Sequence, residues 1–378
     1  MLKSLDGTAT TQKNIFHAVQ IEDLVPADHP LRRIRPLVDT ERIRELCKDL
    51  YCPDNGRPSI PPEQMFLAML GGYLLGVRSD RKLVMELQSN MAFRWFVGLD
   101  IDSEVWDSSS FSKNREHRFD KSDILERLFD DTVKQAMDKG WVSTHWSVDG
   151  TLVRANASQK SFVPIEVYQK PGQYREAMSG RRRPRGRAGS RTRAIPRWIS
   201  GARSDPDARI ATKSSKETAV PAYTVNGVME NRNRILMGIG VEIFQGPTSE
   251  REGALNLLER AKKRLGLRPK TLGADKGFFE KKFLKRLFKR WVQPHVATME
   301  KGTDKAYTRV RMRERGGGFY LSQRARKKIE ELWGESKEGH GFRRFLRRML
   351  ENVRQEAWMM GWLLNLKRLA ALQARVTA

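Results

Sequence analysis

The chain has 378 residues, 39% of them hydrophobic, which suits a sizeable core in two or three compact units and excludes a disordered chain. With 71 Lys and Arg against 45 Asp and Glu, the formal net charge is +26, so a polyanion is the expected partner: nucleic acid first, with a ribosomal or membrane-surface association behind it. Cys47 and Cys52 are the only cysteines, too few for a disulfide scaffold and, without nearby His ligands, for a tetrahedral zinc site.

Residues from about 16 to 138 carry apolar positions at helical spacing, as in Leu31-Ile34-Leu37, Met65-Phe66-Met69-Leu70 and Leu83-Val84-Leu87, and few strand-like runs. They predict a helical N-terminal unit. Pro30, Pro61 and Pro62 suit helix first turns, and Ser79 can cap the helix after it. No cationic-then-apolar leader opens the chain, and apolar stretches such as Met65 to Val77, interrupted by Gly71 and Gly72, are too short for a bilayer. A soluble, cytoplasmic protein without a membrane partner is expected.

From about 140 the texture changes. His145 to Asp149 reads as a strand ending at Gly150, and Ala222–Met229 and Ile235–Phe244 as a strand pair around the turn Glu230 to Asn233. A helix from Ser249 to about Leu265 follows, then a short strand Thr271 to Ala274 ending at Asp275, a helix from Phe279, and a strand from Trp291 to Thr298. Between the first two strands lies a polar segment, about 163–220, whose Arg181 to Ser200 stretch holds eight arginines and no acid. Its Gly, Pro and Ser content argues against a packed core. It reads as an arm that neutralises phosphates, through Arg181, Arg182 and Arg183 among others, or as a merely solvated insertion. The last helices are expected from Leu321 to about Lys337 and from Phe345 to about Leu372, with Met349, Val353, Trp358 and Trp362 in the core.

Three carboxylates carry the chemistry. Two divalent ions roughly 4 Å apart can clamp the attacking and leaving oxygens of a phosphodiester, and they need hard oxygen ligands on rigid elements. Asp149 and Asp275 close two strands, and if those strands are neighbours both acids meet at the sheet edge where open α/β sheets place ligands. On the late helix, Ile329, Leu332 and Trp333 define the buried stripe; at roughly 100° per residue Glu330 flanks it, whereas Glu331 points to water. Gln323, Arg326 and Lys337 share the Glu330 flank, so cations stand beside the acid. Against this, Asp149-Gly150 and Asp275-Lys276-Gly277 are also good turn sequences.

These residues, with their surroundings Ser147-Val148-Asp149-Gly150-Thr151-Leu152-Val153, Leu272-Gly273-Ala274-Asp275-Lys276-Gly277-Phe278 and Arg326-Lys327-Lys328-Ile329-Glu330, resemble the DDE transposases of bacterial insertion sequences. They are closest to the group whose last helix carries a Tyr-Arg-Glu-Lys signature. Arg326, Glu330 and Lys337 fall at the signature spacing, Gln323 stands where many members have Tyr, and Arg181 to Ser200 is richer in arginine than the pattern. The resemblance implies a ribonuclease-H-like α/β catalytic domain, a mixed five-stranded sheet with flanking helices over 139–378, preceded by an all-helical DNA-binding domain over 1–138. It implies Asp149, Asp275 and Glu330 as catalytic metal ligands for Mg²⁺, with Mn²⁺ able to substitute, Asp149 bridging two ions. Arg326, Lys337 and Lys160 would bind DNA phosphates. The partner would be double-stranded DNA, both terminal inverted repeats and target, handled by a homodimer at the nucleoid.

Two other classes compete: a non-catalytic protein that occupies inverted repeats, and a nuclease that cuts without joining. Ser-His-Asp or Cys catalysis has little support, because the six histidines are scattered and neither cysteine sits in a cationic setting. Gly316-Gly317-Gly318 leads into Phe319-Tyr320 rather than the Lys-Ser or Lys-Thr of a phosphate loop.

Overall fold

A computed structural model describes residues 19–51, 59–159, 162–164, 200–202, 204–212, 218–300 and 302–377. Lys160, Arg181, Arg182, Arg183 and Cys52 lie outside the described residues.

The N-terminal part is helical throughout its described residues: α1 (Pro30–Ile34), α2 (Thr40–Cys47), α3 (Pro62–Leu74), α4 (Asp80–Ser89), α5 (Met91–Val97), α6 (Ser108–Asn114) and α7 (Ile124–Asp138). Pro30 and Pro62 open their helices, where a missing N–H costs nothing; Pro61 is the residue before. Ser79 occupies the N-cap of α4, but its side chain makes no capping hydrogen bond. Helix α3 is the hub, with eight consecutive residues, Met65 to Gly72, buried. It approaches α5 closely enough that a Cβ on Gly71 would stand 2.3 Å from the Phe93 ring. Cys47 is fully buried, and burial pushes its thiol up to about 12, which leaves it inert as a nucleophile.

The sheet begins with β1 (His145–Arg154). Short strands β2 (Phe162–Pro164) and β3 (Ser200–Ala202) pair with each other, and β4 (Arg209–Ala211) joins the main sheet. Strands β5 (Val220–Glu230) and β6 (Leu236–Ile243) form the expected hairpin. Its turn is capped by Glu230, a fully buried acid that accepts from the backbone N–H groups of Ser143, Arg232, Asn233 and Ile235. Helix α8 (Pro247–Leu265), β7 (Thr271–Ala274), α9 (Lys281–Lys289), β8 (Gln293–Val296), α10 (Lys305–Glu314), α11 (Gly317–Gly339) and α12 (Leu350–Thr377) complete the chain.

Across the sheet the order is β6-β5-β1-β7-β8, with β4 prolonging the β6 side of β5. The first three strands are antiparallel and β1, β7 and β8 parallel. This is the ribonuclease-H-like α/β arrangement, with α8 on one face and α11 and α12 on the other. The helical region and the sheet share one continuous apolar core, running from Leu31 to Leu372 through α7 and α12.

Three readings of the sequence are corrected. First, Asp149 does not close β1. Gly150 stays in the strand because its eleven-residue partner β5 continues alongside, pairing Gly150 with Asn226 and Val153 with Tyr223. Second, the last helix starts at Leu350 rather than Phe345: Arg343 to Phe345 run beside the end of β1, where Arg154 donates to Arg343 O and accepts from Phe345 N. Met349 has φ +71° and marks the helix entry, so it is not a core contact, whereas Val353 and Trp362 are buried. Third, the far end of the polar segment is packed. Asp205 is fully buried, accepting from Tyr223 Oη at 2.5 Å and Met349 N at 2.9 Å, and Asp207 accepts from Leu350 N at 2.9 Å. Two acids thus meet the N–H groups that open α12, the end of a helix that attracts negative charge. No helix among the described residues is long and apolar enough to cross a membrane.

Candidate active site

The site lies where β1 outruns β7. The parallel register pairs Ser147 with Gly273, so two residues further Asp149 comes level with Asp275, the first residue past the end of β7. Beyond that point, among the described residues, no strand pairs with that edge of β1 until Arg154 bridges to Arg344. On the other edge Asp149 pairs with Gly227.

Glycines let α11 come close. A Cβ on Gly227 would meet the Trp333 ring at 2.7 Å, and one on Gly273 would meet Ser322 Oγ at 2.8 Å. Both α11 residues are buried, so the helix is seated on β5 and β7 at two points that bracket Asp149. Ile329 and Trp333 are the buried stripe anticipated from the helical period. Gln323 fixes the near end of α11 by donating to Ala274 O at 3.0 Å and His295 O at 2.5 Å, the ends of β7 and β8. Lys337 fixes the far end by donating to Thr151 Oγ1 at 2.5 Å, one alternation beyond Asp149 on the same strand.

The electrostatics centre on Asp149. Burial raises its carboxyl to about 7; the Arg326 guanidinium opposes the rise, and the negative charges of Asp275, Glu330 and Glu250 add to it. Two of the acids singled out in the sequence therefore act on the third, and Glu330, not Glu331, is among the charges felt at Asp149. Glu331 turns to Lys328 at 2.6 Å and Arg234 at 3.3 Å. Glu330 Oε1 accepts from Arg326 at 2.7 Å, and Arg326 also reaches Gln323 Oε1 at 3.3 Å. Asp275 accepts from Gly277 N at 2.9 Å, capping the turn that follows β7.

With Glu330 turned to Arg326 and Asp275 to its own turn, no three acidic, His or Cys side chains among the described residues stand close enough to hold one ion between them. The chemistry of the donors suits a hard divalent cation: Asp149 is a buried acid on which the charges of Asp275 and Glu330 act, and its ionised form is disfavoured unless positive charge arrives. Glu330, 54% exposed and paired across solvent, is free to turn.

Sequence reasoning missed Glu250. It sits in the first turn of α8, and a Cβ on Gly150 would stand 2.7 Å from its Cγ. Pro247 opening a helix with an acid in its first turn is the signal that could have found it.

A family model described as "Transposase DDE domain" matches residues 142–366, and one described as "Transposase domain (DUF772)" matches residues 19–117. The chain belongs to the DDE transposase family. That membership makes it a transposition enzyme, and enzymes of this kind generally use divalent metal ions. Among solved structures, the transposase is similar to "Crystal structure of the Mos1 Strand Transfer Complex", with 8% identity, a TM-score of 0.20, and 78% of this chain and 83% of that chain covered. It is likewise similar to "Mos1 transposase paired-end complex with left transposon end", at 8% identity and a TM-score of 0.20 over 76% of this chain and 83% of that one. At such scores the fold assignment rests on strand order and the family model. No significant match is found among curated proteins.

Proposed function

We propose that this transposase cleaves DNA at the terminal inverted repeats of an insertion sequence and joins the freed 3′ ends to target DNA by transesterification. Asp149, Asp275 and Glu330 are the catalytic acids, and the chain is a member of the group with the Tyr-Arg-Glu-Lys signature helix. The carrying observation is the convergence on Asp149: a buried carboxyl raised to about 7, with two further acids and one arginine acting on it at the open edge of β1.

Mg²⁺, or Mn²⁺ in its place, would be held by Asp149 together with Asp275 on one side and Glu330 on the other. Such ions lower the pKa of bound water, activate the attacking hydroxyl and stabilise the leaving oxygen. The chain's own residues do the rest. Arg326 holds Glu330 in the free protein; a DNA phosphate competes for the same guanidinium, which bonds phosphate bidentately and well. Its capture by DNA releases Glu330 toward Asp149, so the acids close only once substrate is present. The pair opens to solvent on the Glu330 side, where an i,i+4 helix pair is worth only about 0.3–0.5 kcal/mol, small enough for a phosphate to displace. Lys337, held over Thr151, neutralises a neighbouring phosphate, and the backbone around Asp149 stays fixed by the glycine-seated helix.

The helical region 1–138 is assigned to recognition of the DNA ends, and 139–378 to chemistry. Lys160 and the arginines Arg181, Arg182 and Arg183 are assigned to the phosphates of the flanking duplex, consistent with a net charge of +26. Two ends must be cut together, so a homodimer acting at the nucleoid completes the proposal.

One observation favours a second reading, a protein that occupies the ends without cutting: Glu330 is paired with Arg326 rather than with the other acids. One experiment separates the two. A linear fragment carrying the gene and its flanking DNA is incubated with Mg²⁺ and with the wild type, Asp149→Ala, Asp275→Ala or Glu330→Ala. The expected outcome is cleavage by the wild type alone, with end binding retained by all four; equal cutting by the three variants overturns the assignment, and binding without cutting by the wild type supports the second reading.

A further inference from the structure

Past Asp149, the outer half of β1 borders a groove of about 310 Å³ lined by Leu152, Arg154, Ala222, Thr218, Lys337 and Arg343, among others. Its floor is the end of β1 with the start of β5, where Arg154 pairs with Ala222. Its walls are the last turn of α11 and the Arg343–Phe345 segment, bonded to β1 through Arg154 N–H to Arg343 O at 3.1 Å and Phe345 N–H to Arg154 O at 2.8 Å. Lys337 opens into the groove and onto Thr151, so groove and acid site share a wall. Among the described residues three cations line it and no acid does. Arg343 is 64% exposed and reaches Glu338 on the outer side of α11, an exposed pair of little strength. Arg154 is exposed as well.

We propose that this groove is a phosphate subsite for the DNA strand leaving the scissile bond, with Arg154 and Arg343 contacting the backbone beyond the phosphate held by Lys337. The proposal rests on the reading of the chain as a DNA-cleaving transposase. Volume and lining agree with it: the cavity lies at the small end for a ligand site, roughly 300–1,000 Å³, and its apolar floor of Leu152, Ala211, Val220 and Ala222 suits a deoxyribose while the cations take the charge. Arginine's planar fork matches a phosphodiester better than a lysine would. Nothing covalent happens in the groove. It holds the strand beside the outer end of β1, where Arg154 lies five residues beyond Asp149.

The test is the salt dependence of binding, measured by fluorescence anisotropy with EDTA present, on a duplex whose end is the boundary of the element. Each lost phosphate contact should make the plot of log K against log salt shallower by about 0.7–0.9. Arg154→Gln combined with Arg343→Gln is expected to lower the slope by about 1.4–1.8. Arg154→Lys with Arg343→Lys should keep the wild-type slope, and so should Lys263→Gln with Lys289→Gln, which removes two cations from the face of α8 and α9. An unchanged slope in the glutamine pair overturns the subsite, as does an equal loss in the lysine pair, which would point to lost packing rather than lost charge. If the wild type cuts and binds while the glutamine pair keeps its slope, the groove alone is refuted; if the wild type neither binds nor cuts, the transposase reading falls with it.

Discussion

Where α12 begins beneath the helical N-terminal region, Arg78 and Glu356 form an ion pair almost sealed from water, their side chains 6% and 1% exposed. Every neighbour agrees with it. Glu356 also accepts from Leu346 N at 3.0 Å and Arg347 N at 2.6 Å, and Arg78 donates to Arg344 O at 2.7 Å. The Asp149 site buries negative charge with the opposite outcome: its cation is shared with Glu330, and three acids raise the central carboxyl rather than relieve it. The first region uses its charges for one fixed geometry, tying residue 78 to the loop that follows α11. The second leaves a deficit of positive charge at the sheet edge, which is what a site waiting for metal ions and phosphates requires.

Breaking the sealed pair should have the largest effect. Arg78→Met leaves Glu356 buried without its cation and is expected to cost about 3–5 kcal/mol in urea unfolding, while Arg78→Met with Glu356→Leu recovers only part of the loss, because the N–H groups of Leu346 and Arg347 then lack their acceptor. Equal destabilisation by the single and double variants would mean that packing, not charge, holds the junction.

At the acid site the sign reverses. The folded-state pKa of Asp149, about 7, lies above its unfolded value of 3.8, so between those values the folded protein binds the extra proton and stability falls as pH rises. Asp149→Asn escapes that loss. Without divalent metal it should be more stable than the wild type by up to about 4 kcal/mol at pH 8, the gain shrinking below pH 7 and vanishing near pH 4. A variant that is less stable than the wild type at pH 8 would contradict the deficit of positive charge inferred here.

Smaller effects sharpen the helix face. Arg326→Gln should cost roughly 1–2 kcal/mol, because the guanidinium is only 15% exposed and Asp149 loses its nearest cation, and it should sharply reduce cleavage. Glu331→Gln removes only surface pairs to Lys328 and Arg234, so it should alter stability by about 0.5 kcal/mol at most and leave cleavage intact. Loss of cutting on changing Glu331 rather than Glu330 would reverse the assignment made from helical geometry.

Much of this was legible in the sequence, for identifiable reasons. The period of Ile329, Leu332 and Trp333 set the orientation of α11, with Ile329 and Trp333 buried, and of the two adjacent glutamates it is Glu330 whose charge acts on Asp149. The succession of strands and helices followed from patterning, whereas the neighbouring of β1 and β7, which the sequence left as a condition, is what brings Asp149 level with Asp275. What local sequence hid was decided by distant partners. Asp149-Gly150 has the chemistry of a turn, but β5 overrides it and carries the strand to Arg154. Phe345 has the apolar character of a helix start, but its backbone is claimed by β1. Asp205 and Asp207 look like loop residues and instead anchor α12 from more than a hundred residues away, a pairing no local pattern encodes.

The central claim is that Asp149 is a carboxylate short of positive charge, made to share divalent ions with Asp275 and Glu330. Electron paramagnetic resonance of Mn²⁺ titrated into the protein bound to its DNA end reads this directly. The wild type should take up two tightly held ions per site, and Asp149→Asn should lose both while still binding DNA. Undiminished Mn²⁺ uptake by Asp149→Asn would contradict the account.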